Sequence, residues 1–192
     1  MQRINLSMKI ERNIVGVLLV LIAISFRFFP HQPNFTPLLA IFVFSSGYFK
    51  NKKLAFFLPL IVMFISDLII NNIIYSSFFE RFVILYTGAI WTYTATIILS
   101  LVSIAFLKKF NFKNILMSGF MASIIFFIIS NFGVWFSTTL YPKSIEGLMA
   151  CYFMGLPFFK NTLFSTILFV SALYGVNYFL ENKLSLFYNI KK

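Results

Sequence analysis

Six apolar stretches, at residues 14–29, 36–49, 54–74, 82–107, 115–137 and 157–180, occupy most of the chain, and the short segments between them hold nearly all of its lysines and arginines. About 20 apolar residues make a helix long enough to cross a hydrocarbon layer of about 30 Å, in which every backbone amide must be satisfied within its own segment. The composition fits such a solvent: 60% of residues are hydrophobic, 11% are charged and the mean hydropathy is +0.90, against about 45–50% apolar and about 25% charged for soluble domains. Six spans and their loops use up the 192 residues and leave no length for a second, soluble domain. The expectation is an all-α integral membrane protein, with an amino-terminal segment at 1–13, one six-helix transmembrane domain at 14–180 and a tail at 181–192. Phe, Ile and Leu cover all faces of the runs instead of alternating every second residue, which argues against a membrane β-barrel. The second run is short, which predicts little tilt, extension into its neighbours or partial insertion.

The basic residues set a direction. Arg3, Lys9 and Arg12 precede the first run; Lys50, Lys52 and Lys53 follow the second; Lys108, Lys109 and Lys113 follow the fourth; Lys183, Lys191 and Lys192 follow the sixth. If six helices alternate, these twelve of the sixteen basic residues share one side, and only Arg27, Arg81, Lys143 and Lys160 face the other. The positive-inside rule makes the rich side cytoplasmic, with both termini on it. A competing reading takes the basic start, the first apolar run and Ala23-Ile24-Ser25 as a cleaved secretory signal, leaving five helices. Retaining the first helix keeps the charge pattern regular.

Polar groups at membrane depth are costly and each suggests function or helix packing. With the direction fixed, Asp67, Asn71 and Asn72 fall in the outer half of the third helix, Trp91 in that of the fourth, Asn131 and Trp135 near the outer end of the fifth, and Lys160 and Asn161 at the start of the sixth. Arg27, His31, Asn34, Cys151 and Tyr152 belong to the outer loops, and the inner halves hold almost nothing comparable. This asymmetry predicts an outward-facing cavity that binds something from outside. A channel needs polar lining through its full depth, and a proton relay needs titratable groups spaced across the bilayer.

Each candidate also has a structural role open to it. Asp67 either contacts a ligand or neutralises Lys160 or Arg27 as a buried ion pair. Asn131 either contacts a ligand or bonds between helices. Trp91 and Trp135 suit an interfacial belt as well as a pocket. His31 and Asn34 lie in a stretch with three prolines, Pro30, Pro33 and Pro37, that cannot be regular helix. The single cysteine, Cys151, excludes an intrachain disulfide; it either packs or reaches a metal-containing ligand. Ser118 with Ala122 and Gly119 with Ser123 give the fifth helix a close-packing face, for internal packing or for a partner. No metalloprotease, hydrolase, P-loop or calcium-loop motif occurs, so no enzyme, resident cofactor or protein-bound metal is expected, and any active transport draws its energy elsewhere.

The stretch 27–37, the Ser66-Asp67 pair, Asn131-Phe132-Gly133-Val134-Trp135, and the segment from Gly147-Leu148 through Cys151-Tyr152 to Pro157-Phe158-Phe159 resemble an uncharacterised family of small bacterial membrane proteins. That family in turn resembles the substrate-binding S components of energy-coupling factor vitamin transporters, over residues 12–180. The resemblance implies six helices in the bacterial cytoplasmic membrane and a vitamin or vitamin precursor bound by outer loops and outer helix halves. Its partners would be a transmembrane coupling subunit and two ATPases, or none in a solitary form. A solitary cobalamin transporter in which a cysteine contacts the cobalt is the analogy for Cys151. Many S components carry small residues four apart on helix one for docking, and here Gly16 through Ala23 lacks that pair. The alternatives are a non-transporting scaffold of the cell envelope and, third, a membrane enzyme acting on a lipid headgroup.

Overall fold

The computed structural model describes the backbone of residues 2–190 and the side chains of residues 12–181. The side chains of Arg3, Lys9, Lys183, Lys191 and Lys192, called cytoplasmic above, lie outside the described residues. The fold is helical: α1 (Gln2–Ser25), α2 (Leu38–Tyr48), α3 (Lys52–Ile69), α4 (Ala89–Phe106), α5 (Phe112–Ser137) and α6 (Ile145–Ile190). A 3-10 turn, Phe26–Phe28, extends α1, and a π-helical turn, Ile70–Ile74, extends α3. Four helical stretches, Lys52–Ile74, Ala89–Phe106, Phe112–Ser137 and Ile145–Glu181, are long and apolar enough to cross a membrane.

The short second helix is the centre of the bundle. α2 touches all five other helices, which close around it in the order α1, α3, α4, α5, α6. Ten of its eleven residues are buried, so it is apolar all round because it has no outer face. At 1.5 Å per residue it is about 16 Å long, roughly half a hydrocarbon core. Its shortness therefore comes from its central position, with the irregular segment 29–37 taking the rest of the depth. Three prolines exclude helix there, and a turn closed by the Phe35 amide on the Gln32 carbonyl at 2.9 Å, with Asn34 in the left-handed region at φ 61°, brings the chain to Pro37 at the start of α2.

Helix boundaries differ from the sequence expectation: α1 begins at Gln2 instead of residue 14, and α6 runs on to Ile190 instead of residue 180. The fourth run was expected to be helical from residue 82, yet α4 begins at Ala89, after Gly88 at φ 90°. The residues before it form bends and turns, and Asn72 grips the Val83 backbone there, donating to its carbonyl at 2.8 Å and accepting from its amide at 2.7 Å. The sixth helix was expected to start at Pro157 and starts twelve residues earlier, at Ile145. Pro157 sits within α6, and Cys151 and Tyr152 are helical residues instead of loop residues.

On the helices around α2, many large apolar side chains point outward, and small ones are buried where helices meet. Ile14, Leu18, Leu21 and Ile22 of α1, Phe57, Ile61 and Ile65 of α3, and Phe120 of α5 are exposed, whereas Ala40, Ala55, Ala95, Ala122, Ser46, Ser103, Ser118 and Ser123 are buried. Small residues let helices approach closely where lipid offers no hydrophobic driving force between them. Ser118 donates to Ser103 at 3.0 Å across α5 and α4, and Gly119 lies against Thr166, Ile167 and Val170 of α6. The small-residue face of α5 is thus internal packing. It also corrects one expectation: the half of the bundle nearer the lysine-rich loops carries a buried set of serines, Ser45, Ser46, Ser100, Ser103 and Ser118.

The lysine-rich end is closed. Tyr48 stacks on Phe44 at 4.9 Å and meets Phe110 edge-on at 6.0 Å, and Phe110 packs on Tyr174 at 5.3 Å. Arg12 donates to the Tyr48 carbonyl at 3.1 Å, receives the Tyr48 hydroxyl on its own carbonyl at 2.8 Å, and lies 3.8 Å from Glu181. Helices α1, α2 and α6 are locked together there.

Candidate ligand cavity

Opposite that plug, the truncation of α2 leaves a cavity of about 530 Å³. Its wall is drawn from one end of the bundle: Arg27 after α1, Leu38 and Leu39 at the start of α2, Ile70 at the end of α3, Thr92 at the start of α4, the outer part of α5 and the first half of α6. Because consecutive helices alternate in direction, this end lies away from Lys50, Lys52, Lys53, Lys108, Lys109 and Lys113. The α5 wall is Phe126, Phe127, Ser130, Asn131 and Val134, and the α6 wall is Cys151, Met154, Gly155, Phe158, Phe159, Thr162 and Thr166. Both sets follow the three- and four-residue spacing of one helical face.

Arg27 is the charged residue of the wall. Its guanidinium donates to Asp67 at 2.7 Å and also to the Ser66 hydroxyl, and the Tyr93 hydroxyl donates to the other Asp67 oxygen at 3.0 Å. The two charged side chains are 14% and 5% exposed. A buried guanidinium and carboxylate are tolerated at such depth only when paired and hydrogen-bonded, and this pair is both.

The sequence candidates divide. Arg27, His31, Asn34 and Asn131 line the cavity, together with Cys151. Asp67, Asn71, Trp91, Trp135, Tyr152, Lys160 and Asn161 do not, each for a visible reason. Asp67 serves Arg27 and does not pair with Lys160. Asn71 is buried at 8% exposure beneath the π turn. Trp91 packs over Gly133, where a Cβ would come within 2.2 Å of its ring, and donates to Ser137 at 2.7 Å. Trp135 donates to the Pro142 carbonyl at 2.9 Å and lies under the Lys143 ammonium, which caps the end of α5 through the carbonyls of Trp135, Phe136 and Thr138. Tyr152 donates to the Ile128 carbonyl at 2.8 Å. Asn161 donates to the Pro33 carbonyl at 3.0 Å, and with Lys160 it borders a separate groove shared with Gln32 and Phe35.

Several wall residues carried too little signal to be picked out. Phe126, Phe127, Phe158 and Phe159 do not stand out among 28 phenylalanines, and Thr36, Thr92, Ser130 and Thr166 were not singled out. The small and polar stripe from Cys151 through Gly155 to Thr162 and Thr166 was the one periodic clue. Burial raises the Tyr86 phenol above its ordinary value, with a hydrogen bond to Thr92 opposing, so it stays a neutral hydroxyl on the wall. Cys151 is buried and its thiol donates to the Asn131 carbonyl at 3.3 Å. No group of three or more His, Cys, Asp or Glu that could hold a metal ion occurs among the described residues.

A family model described as a family of unknown function, DUF6580, matches residues 8–187, nearly the whole chain. The chain belongs to DUF6580. No curated protein and no solved structure matches it. In this DUF6580 chain the matched residues take in the entire cavity wall and the aromatic plug beneath it.

Proposed function

We propose that this protein is a substrate-binding membrane protein that captures a vitamin-like small molecule from outside. It would sit in the bacterial cytoplasmic membrane with both termini inside and act in uptake in the manner of an S component, either coupled to a transmembrane subunit and ATPases or alone. One observation carries the reading: a central helix of half-membrane length leaves a small-molecule-sized cavity, walled by all six helical segments, at the end away from the lysine clusters. Its volume falls in the usual range of about 300–1,000 Å³ for ligand sites. The aromatic plug supports one-sided capture over conduction.

Binding fits the wall better than catalysis. His31 Nδ1 is turned to the Gln32 carbonyl and Cys151 to the Asn131 carbonyl, so neither stands against a base, and no carboxylate lines the cavity. Native mass spectrometry of the purified chain tests the proposal. A co-purifying vitamin-sized mass, lost in a Ser130→Phe variant that fills the cavity, is the expected result. An empty chain that copurifies with cell-envelope assembly proteins would support the scaffold reading instead.

A further inference from the structure

We infer that the ligand carries a single carboxylate, seated between Arg27 and the amino end of α2, with an aromatic or other flat apolar body between α5 and α6. This rests on the cavity being a ligand site, and it adds the ligand's charge and orientation.

The wall is chemically unequal along its length. On the α5 and α6 side, the hydroxyls of Ser130, Thr162 and Thr166 donate to the carbonyls of Phe126, Phe158 and Thr162, and the Asn131 amide donates to that of Phe127. The hydroxyl hydrogens and one of the two Asn131 amide hydrogens are used, and Phe126, Phe127, Phe158 and Phe159 make the surface between them apolar. The other end is rich in unspent donors. Arg27 has five N–H groups; its bonds to Ser66 and Asp67 leave three without a protein partner. α2 begins after Pro37, which has no capping side chain; the Thr36 hydroxyl accepts from the Leu38 amide at 3.4 Å, the Ile41 amide bonds to the Pro37 carbonyl, and the amide of the buried wall residue Leu39 has no protein acceptor.

Buried donors left unpaired are costly, and a helix amino terminus favours negative charge. Asp67 is not the missing acceptor, because it lies behind Arg27 and does not line the cavity. An acceptor-only, planar oxyanion satisfies such donors, and Arg presents it a matching fork. The charge count ranks the oxyanions. Arg27 and Asp67 already cancel, so a carboxylate brings one charge to be met by the free Arg27 N–H groups and the α2 amino end, whereas a phosphate monoester brings nearly two into a poorly hydrated site.

The full chain in nanodiscs of zwitterionic lipid tests this with three probes of one shape: 2-naphthoate, 2-naphthamide and 2-naphthyl phosphate, with affinities read by ligand-observed NMR. Naphthoate is expected to bind roughly tenfold or more tighter than naphthamide, the scale of charge-assisted hydrogen bonds, and tighter than the phosphate. Ser130→Phe should remove binding of every probe, which locates it. Arg27→Gln alone strands Asp67 and risks misfolding, so the informative variant is Arg27→Gln/Asp67→Asn, which removes both charges together. In it the naphthoate-to-naphthamide ratio should fall to within about threefold. Naphthamide binding as well as naphthoate, a ratio unchanged in the double variant, or a preference for the phosphate overturns the carboxylate assignment while leaving the cavity a ligand site. Failure of all three probes to bind at millimolar concentration overturns the assignment together with the binding reading.

Discussion

Removing the Asp67 carboxylate should destabilise this bundle more than any other single polar change, and most of the cost should vanish when Arg27 is removed with it. Asp67→Ala deletes the 2.7 Å bond from Arg27 and the 3.0 Å bond from Tyr93. It leaves a guanidinium only 14% exposed with no counter-charge. Breaking one side of a buried pair costs about 3–5 kcal/mol, and an interhelical hydrogen bond at membrane depth adds roughly 0.6–2 kcal/mol. The single variant should therefore lose about 4–6 kcal/mol. The double variant Arg27→Met/Asp67→Ala removes both charges and with them the stranded guanidinium, so the cycle it forms with Asp67→Ala and Arg27→Met should return a coupling of at least about 3 kcal/mol. Reversible unfolding in mixed detergent micelles, followed by tryptophan fluorescence, measures all four corners. A loss below about 1 kcal/mol for Asp67→Ala, or a double variant whose loss equals the sum of the singles, would refute the claim that this pair is desolvated and mutually dependent.

Three other changes probe the parts that shape the cavity. Asn72→Ala removes both bonds to the Val83 backbone and should release the segment before α4; hydrogen exchange across residues 76–88 should quicken while the α5–α6 contact stays protected. Gly147→Ala places a Cβ 2.0 Å from the Pro142 carbonyl oxygen, a backbone clash that side-chain motion cannot relieve, and should cost about 1–3 kcal/mol in the same unfolding assay. Tyr48→Ala empties the middle of the aromatic plug, where the ring is 2% exposed, and should cost about 3–5 kcal/mol; Tyr48→Phe, which keeps the ring and loses only its bond to the Arg12 carbonyl, should cost about 1 kcal/mol.

The helices and their order were legible because apolar runs punctuated by lysines leave few alternatives. Their roles in the bundle were less so. Residues 38–48 look like a weak span in sequence because a helix buried on all sides and a helix bathed in lipid are both apolar all round. The start of α4 was missed because Phe82, Ile84 and Leu85 are as hydrophobic as any helical residue, and what ties them into a non-helical segment is a side-chain clamp from Asn72, eleven residues earlier in the chain than Val83. Pro157 was read as a helix start, and within α6 it shows that proline does not oblige a break in a long membrane helix. In the site, polarity within a span found Asn131, and polarity in the loops at the same end found Arg27, His31 and Asn34. It could not separate wall residues from those tied to carbonyls elsewhere, such as Tyr152 and Asn161, because that choice is made by the helix facing them.

The proposed function requires a cavity that opens on the side of the membrane opposite the lysine clusters. The direct measurement is side-specific labelling in intact cells with a membrane-impermeant maleimide, using single reporters in a Cys151→Ser background. A cysteine at Ser130, in the cavity wall, should be labelled from outside, and one at Lys109 only after the cells are broken. Labelling of the Lys109 position in intact cells, with the Ser130 position protected until lysis, would contradict it.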